Sequence, residues 1–166
     1  MERLWSPWRS TYIQSFASSD GDDRCVFCEA LEDTDDDQRF LVKRHDQCYA
    51  ILNLYPYNSG HLLIVSNRHV PTLHELDDTI YSEMMLMIRR WSHVIQQAMH
   101  PHGFNIGLNI GRTAGAGIDM HIHWHIVPRW RGDVNFMPVI GDTKVISEDM
   151  RETMIKFRET YEKLYS

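Results

Sequence analysis

The chain has 166 residues, of which 43% are hydrophobic and 24% are charged, and its formal net charge is −6. A chain of this size and composition is large enough to form one domain with a core of its own. The acidic balance argues against broad nucleic-acid binding, which needs a basic surface, but it allows a small phosphate ligand held by local positive potential.

The N-terminal segment and the apolar runs indicate a soluble, cytoplasmic protein. The first residues, MERLWSPWR, contain no continuous apolar stretch and do not match a signal peptide. The longest purely aliphatic run, Leu62–Val65, has four residues, whereas a membrane-spanning helix needs roughly 20. We therefore expect no membrane segment.

The chain contains three cysteines, an odd number, which argues against a disulfide framework in a cytosolic protein. Cys25 and Cys28 form a Cys-x-x-Cys pair that suits metal binding or redox chemistry, whereas Cys48 lies in an apolar segment and is expected to be buried. Segments 18–23 and 32–38 are polar and acidic and are therefore predicted to be exposed loops. Neither has the Gly and Glu placement of a calcium loop, so a solvated loop is favoured over a cation site.

The first half of the chain predicts short strands followed by a long helix. The strands are expected at residues 40–43, 48–54 and 61–66, with a turn at 55–60. Thr72 is followed three residues later by Glu75, a capping-box pattern that predicts the start of the helix. Apolar residues then recur at threes and fours from residue 73 to residue 98, as in an amphipathic helix.

The second half predicts two more strands and a last helix. The strands are expected at residues 104–110 and 121–127, on either side of a glycine-rich loop at 111–117. Ser147 is expected to cap the last helix, whose apolar stripe is Met150, Met154, Phe157, Tyr161 and Leu164. This order predicts an α+β fold with an antiparallel sheet, one long central helix and a C-terminal helix. We expect a single domain over residues 1–166, with an N-terminal arm at 1–24 and a helical extension at 138–166.

The most informative run is His-Ile-His-Trp-His-Ile-Val, at residues 121–127. Side chains alternate along a strand, so His121, His123 and His125 would share one face while apolar residues fill the other. Each imidazole needs partners for its ring nitrogens and titrates near neutral pH. The pattern therefore indicates a catalytic or metal site rather than a surface strand that happens to be rich in histidine.

This run resembles the signature of the histidine triad superfamily, and the resemblance covers roughly residues 25–135. It implies an α+β fold, a homodimer, and a reaction in which His123 attacks the α-phosphate of a nucleotide and carries the nucleotidyl group covalently. His121, His125 and Asn109 would complete the catalytic set, the last two as donors near the scissile bond. Asn53 would bind the ribose, although turn chemistry explains a lone asparagine equally well. His61 is expected to be structural.

The glycine-rich loop departs from the usual family pattern. Many members have Gln and Ser or Thr where this chain has Ala116 and Gly117. We expect Gly115, Ala116 and Gly117 to offer backbone N–H groups to substrate phosphates. A tight turn is the alternative interpretation, but it accounts for one glycine rather than for the whole segment.

The resemblance also implies a structural zinc site. Cys25, Cys28, His69 and His121 match the ligands of zinc-bearing members and of the related galactose-1-phosphate uridylyltransferases. The site would tie the N-terminal segment to the catalytic strand. A reduced thiol pair is one alternative, and a redox pair is another, although such a pair usually opens a helix of a thioredoxin-like unit that the predicted elements lack.

Segments 4–9, 127–133 and 135–137 are similar to the bacterial diadenosine tetraphosphate phosphorylase branch of the superfamily, also called ATP adenylyltransferase. This implies a purine nucleotide or dinucleoside polyphosphate as substrate, phosphate as acceptor, and ADP and ATP as products. One alternative is a hydrolase of adenosine phosphoramidates or dinucleoside polyphosphates. Another, of a different class, is a non-catalytic nucleotide- or metal-binding module.

Overall fold

A computed structural model describes residues 24–133 and 148–166. Its elements are helix α1 (Val26–Glu32), strands β1 (Leu41–Arg44), β2 (Cys48–Leu52) and β3 (Leu62–Ser66), helix α2 (Asp78–Met99), strands β4 (Gly103–Gly107) and β5 (His123–Arg129), and helix α3 (Met150–Tyr165). No helix in these two ranges is long and apolar enough to cross a membrane. The segments 4–9 and 135–137, residues 1–23 of the N-terminal arm and Ser147 lie outside the described residues.

The five strands form one antiparallel sheet in the order β1-β2-β3-β5-β4. The predicted α+β class with an antiparallel sheet is confirmed. The central strands β2 and β3 are buried along their whole length, because helices cover both faces of the sheet. Helices α2 and α3 pack on one face around Trp91 and Phe157, and α1 packs on the other through Phe27. Cys48 is fully buried, as predicted.

Helix α2 begins later than predicted. Thr72 precedes a short 3-10 turn, Leu73–Glu75, and its hydroxyl donates to the Glu75 carboxylate at 2.6 Å instead of capping a long helix. The chain is extended at Leu76, and the helix starts at Asp78. The periodic pattern misled the prediction because Leu73 and Leu76 contact the same core as the helix does.

Helix α3 is capped by Asp149 rather than by the predicted Ser147. The Asp149 side chain accepts hydrogen bonds from the backbone N–H groups of Arg151 and Glu152, at 2.7 and 3.3 Å, as an N-cap aspartate does. The centre of the predicted stripe is buried, as expected, at Met154, Phe157 and Tyr161.

Two features near the site differ from the sequence prediction. Strand β5 starts at His123 and not at His121, so the first histidine of the triad lies before the strand. Helix α1 was not predicted at all, because seven residues are too few for a helical period to be recognised. Both differences concern elements that position residues of the candidate site.

Candidate active site and metal cluster

The histidine triad is divided between two groups of residues. His123 and His125 lie on β5, opposite Val65 and Leu63 of β3. His121 is buried just before the strand, and its ring Nδ1 lies 3.3 Å from Sγ of Cys25. The structure therefore assigns the first histidine to the cysteine cluster and leaves the other two side by side, with ring centroids 5.0 Å apart.

His123 has the geometry of a neutral nucleophile. Its Nδ1 lies 2.8 Å from the carbonyl oxygen of His121 and donates to it, which leaves the lone pair on Nε2. The side chain is only 6% exposed and packs against the ring of Phe27 at 4.8 Å. Burial lowers the pKa of His123, and the hydrogen bond to His121 opposes this effect. The ring is thus neutral and fixed in one tautomer.

The tautomer of His125 follows from a chain of hydrogen bonds through His61. The backbone N–H of Tyr57 donates to Nδ1 of His61 at 3.0 Å, so His61 carries its hydrogen on Nε2. That Nε2 lies 2.9 Å from Nδ1 of His125 and donates to it. A neutral His125 then carries its own hydrogen on Nε2, where it serves as a donor.

Sequence reasoning missed this role of His61 and Tyr57. His61 was expected to be structural, but it bonds directly to a triad histidine. The Tyr57 ring also stacks on His125, with centroids 5.7 Å apart and an interplanar angle of 16°. The sequence signal was the Gly-His pair that directly precedes β3. The register of β3 with β5 pairs Leu62 with Ile126, so His61 and His125 are each one residue away from this pair.

The two asparagines of the predicted site lie at strand ends. Asn53 follows β2; its Oδ1 accepts from the N–H of Tyr55 at 3.0 Å, and its Nδ2 lies 3.3 Å from Nδ1 of His61. The turn chemistry considered for Asn53 is therefore present. Asn109 lies two residues beyond Gly107, which pairs with His125. If the antiparallel pairing of β4 and β5 were extended by two residues, Asn109 would lie opposite His123.

The glycine-rich loop is internally hydrogen-bonded. The amide of Gly115 donates to the carbonyl of Arg112 at 2.9 Å, and that of Ala116 donates to the carbonyl of Gly111 at 3.3 Å. Gly111 and Gly115 have φ of +78° and +93°, conformations that favour glycine. A phosphate bound by the amides of Gly115 and Ala116 would have to replace these internal bonds.

Arg129 does not present its charge to the site. Its Nε and Nη2 donate to the two carboxylate oxygens of Asp133 at 2.7 and 2.9 Å, and its Nη1 donates to Oδ1 of Asn105 at 2.8 Å. The guanidinium is therefore neutralised by a bidentate ion pair. Donors to a phosphate acceptor must come from elsewhere, and His125 is the best-placed candidate.

The second group is a cluster of four metal-ligand side chains, Cys25, Cys28, His69 and His121. Their ligand atoms all lie within 4.8 Å of one another. Sγ of Cys28 lies 3.2 Å from Nδ1 of His69 and 3.6 Å from Nδ1 of His121. Bond lengths to zinc of about 2.0 to 2.3 Å give tetrahedral edges of about 3.5 Å, so these separations fit one zinc ion.

Local structure explains how residues so far apart in the chain meet. Cys25 precedes α1 and Cys28 lies in its first turn, so the two sulfurs share one side of the helix. The N–H of Ile122 donates to the carbonyl of Val70 at 2.8 Å, which brings His69 beside His121. The pair does open a helix, but the two histidines complete a four-ligand set that a redox pair does not need.

The donor chemistry of the cluster also fits a cation. Nε2 of His121 donates to the carbonyl of Ser66 at 2.7 Å, which leaves Nδ1 as the ligand atom. Burial lowers the pKa of His121 to about 4, so the ring is neutral. Burial and the neighbouring Cys25 raise the pKa of Cys28 to about 11, and a bound divalent cation would reverse this by stabilising the thiolate.

Comparison with known proteins identifies the family of the chain. The HIT domain family matches residues 35–132 of the chain. The chain belongs to the HIT family. It is 40% identical over 158 residues to an AP-4-A phosphorylase of Mycobacterium tuberculosis, a match that covers 92% of this chain and 80% of the relative.

Solved structures of the family share the fold. A histidine triad nucleotide-binding protein from Sulfolobus tokodaii superposes with a TM-score of 0.68 and 28% identity, over 84% of this chain and 93% of that one. A zinc-bound histidine triad family protein from Mycobacterium smegmatis has a TM-score of 0.69 and 24% identity, over 84% and 94%. The second similarity shows the fold alone.

Proposed function

We propose that this HIT-family chain is a nucleotidyltransferase that cleaves dinucleoside polyphosphates, with diadenosine tetraphosphate as substrate and phosphate as acceptor. The observation that carries the proposal is the hydrogen-bond pattern of the two histidines, which leaves the lone pair of His123 on Nε2 and the hydrogen of His125 on Nε2. The likeness to an AP-4-A phosphorylase supports the substrate and the acceptor.

The two histidines suit the two parts of the reaction. Nε2 of His123 attacks the α-phosphorus, a P–N bond forms, and the bond to the bridging oxygen breaks with ATP as leaving group. The positive charge that develops on His123 is stabilised through Nδ1 by the carbonyl of His121. His125 donates to the phosphoryl oxygens as their charge grows. An oxygen of inorganic phosphate then attacks the adenylyl group, releases His123 and yields ADP.

The remaining substrate contacts belong to the same proposal. Asn109 is assigned to the scissile region because of its position beyond Gly107. Gly115, Ala116 and Gly117 are assigned to the phosphates, and Asn53 to the ribose. We propose a purine nucleotide as substrate because of the same likeness to an AP-4-A phosphorylase. We propose no role for nucleic acid or membrane.

We further propose that Cys25, Cys28, His69 and His121 hold a structural zinc ion. The four donors have the identity and spacing of a closed tetrahedral site. Zinc would supply a fixed link between the start of α1 and the residue that precedes β5, and would take no part in the chemical steps. A cytoplasmic location, where thiols stay reduced, is consistent with this assignment.

We also propose a single domain that pairs into a homodimer. In the described part of the chain, β4 is an edge of the sheet and pairs only with β5. Ile106 on this strand is 44% exposed. An edge strand with an exposed apolar side chain is suited to pairing with a second copy.

The test is product analysis with diadenosine tetraphosphate labelled in the adenine ring, with and without phosphate. We expect ADP and ATP when phosphate is present, and a labelled protein adduct after rapid quenching without it. Equal rates in both conditions, with AMP and ATP as products, would assign the protein to the hydrolases. Tight nucleotide binding with neither turnover nor adduct would identify a binding module.

A further inference from the structure

The Asp133 carboxylate, four residues beyond Arg129 at the end of β5, accepts four hydrogen bonds. Its Oδ2 accepts from Nε of Arg129 at 2.7 Å, Nδ2 of Asn58 at 2.8 Å and the backbone N–H of Trp130 at 3.0 Å. Its Oδ1 accepts from Nη2 of Arg129 at 2.9 Å. The side chain is only 10% exposed. These donors, Arg129 first, hold the pKa of Asp133 at about 2, so the group is ionised in any ordinary assay.

Asn58 connects this carboxylate to the turn between β2 and β3. Its Nδ2 has two hydrogens; one goes to Asp133 and the other goes to the carbonyl of Pro128 at 3.0 Å. Because both hydrogens are used, the amide is held in one orientation against the end of β5. The turn is thereby attached to the strand that carries His123 and His125.

The backbone of Tyr57 and of Asn58 bonds directly to His61. The N–H of Tyr57 donates to Nδ1 of His61, and the N–H of His61 donates to the carbonyl of Asn58 at 3.2 Å. A shift of Asn58 would move the Tyr57 amide away from His61. Nδ2 of Asn53, 3.3 Å from Nδ1 of His61, would remain as a more distant donor, so the preference of His61 for a hydrogen on Nε2 would weaken and the tautomer of His125 would be held less firmly.

We propose that Asp133 is a positioning residue for nucleotidyl transfer, because through Asn58 it holds the Tyr57 amide on His61 and so keeps the hydrogen of His125 on Nε2. The effect on rate rests on the proposed function, whereas the effect on the histidine tautomers does not. Outer partners that orient reacting groups in this way typically change activity by roughly 10- to 100-fold when they are replaced.

An aspartate is required here because every neighbour of the carboxylate is a donor. In Asp133→Ala, no side-chain acceptor remains for Arg129, Asn58 or the backbone N–H of Trp130. Asn58 then loses the acceptor that holds its amide in one orientation. Asn58→Ala removes the same link from the other side and leaves the Arg129–Asp133 ion pair in place.

The experiment reads the ring nitrogens of His61 and His125 directly in the full-length, metal-loaded protein. Two-bond proton–nitrogen correlation spectra, assigned with single histidine variants, should show both rings with hydrogen on Nε2 in the wild type. In Asp133→Ala and in Asn58→Ala we expect mixed tautomers at both rings and an unchanged signature for His123. Asp37→Asn, which breaks the Arg158–Asp37 ion pair elsewhere, should keep the wild-type spectrum and serves as the control.

Kinetics with diadenosine tetraphosphate provide the second measurement. We expect kcat to fall roughly 10- to 100-fold in either variant, with a smaller change in KM, because His125 acts on charge that develops in the transition state. The double variant should lose no more than the single ones, since both break one link. Should Asp133→Ala fail to fold, Asn58→Ala carries the same expectation.

The proposal is overturned if the variants lose stability while the tautomers of His61 and His125 and the value of kcat stay those of the wild type. Mixed tautomers in the wild type itself would also overturn it. If the wild type transfers no nucleotidyl group, the proposed function fails, but the spectra of the variants still decide whether Asp133 controls the two histidines.

Discussion

The carbonyl oxygen of His121 accepts a hydrogen bond of 2.8 Å from Nδ1 of His123, while the ring of the same His121 faces the cysteine cluster. The nucleophile is therefore oriented by the backbone of a residue whose side chain belongs to the metal-ligand group. Any change that moves His121 is expected to move the hydrogen-bond partner of His123 as well. The two groups of the site are one structural unit.

Zinc content should depend on the cluster cysteines. We expect about one equivalent of zinc per chain in protein purified without chelator. Cys28→Ser should lose most of the zinc. The rate should fall by roughly 10- to 100-fold, because the zinc ion that would hold His121 in place is then bound more weakly. Elemental analysis is the measurement, and Cys48→Ala, a cysteine outside the cluster, is the matched control. Metal-free wild type with two titratable thiols at Cys25 and Cys28 would favour the reduced pair.

His123→Ala should abolish transfer and spare nucleotide binding. The side chain that forms the covalent bond is removed, and loss of a nucleophile typically costs several orders of magnitude in rate. Single-turnover assays measure the rate, and calorimetry measures binding. His74→Ala, which removes an exposed histidine near the start of α2, should behave like the wild type. Turnover near the wild-type rate in His123→Ala would refute the covalent mechanism.

Local patterns in the sequence predicted the fold class, and the resemblance to the histidine triad family named the candidate site residues. Alternation around His123 and the Cys-x-x-Cys spacing are short-range signals, and both identified residues that the structure brings together. The link between His61 and His125 depends instead on the register of β3 with β5, and that between Asn58 and Asp133 on a contact across 75 positions. Neither is encoded in a local period. Helix α1 was missed because it is too short for its apolar residues to show a helical period.

Stability should depend on pH through His45, which is half-buried beside Trp91 and Tyr161. Nε1 of Trp91 donates to Nε2 of His45 at 3.2 Å, so the neutral ring is required. Burial, with Lys43 and Arg90, lowers the pKa of His45 to about 4, against a weaker opposite effect of Asp46. A lowered folded pKa gives stability that is full above the unfolded value near 6.5 and is lost as pH falls towards 4.

The comparison of the wild type with His45→Gln isolates this contribution. Between pH 7 and pH 5, the free energy of unfolding should fall by about 1–2 kcal/mol more in the wild type than in the variant, whose amide does not titrate. Urea denaturation followed by circular dichroism at both pH values measures the difference. Acid effects on the cluster histidines occur in both proteins and cancel. Equal pH dependence in the two proteins would contradict the assignment.

The β4 edge should mediate dimer formation. Ile106→Glu places a charge where a second copy is proposed to pair, so we expect a monomer at micromolar concentration in size-exclusion chromatography with light scattering. Ile155→Glu, on the surface of α3, replaces a side chain that is 52% exposed and should leave the dimer intact. A dimer that survives Ile106→Glu and is lost in Ile155→Glu would move the interface to α3.

An added methyl group at Gly60 should lower the free energy of unfolding. Its φ is +72°, and a Cβ there would lie 2.5 Å from Sδ of Met99 and 3.2 Å from Cζ of Phe157. Met99 is able to move, but Phe157 is fully buried and is not. Backbone strain and overpacking together predict a loss of about 2–4 kcal/mol for Gly60→Ala.

Gly111→Ala separates the two contributions. Gly111 has a similar φ of +78°, but nothing lies within 4 Å of the position that a Cβ would take there, so only the backbone strain of about 1 kcal/mol applies. Chemical denaturation of both variants at pH 7 gives the comparison. Equal losses in the two proteins would mean that Met99 and Phe157 rearrange without cost. A larger loss for Gly60→Ala would show that the start of β3, and with it His61, is held in place by the packing of α2 and α3.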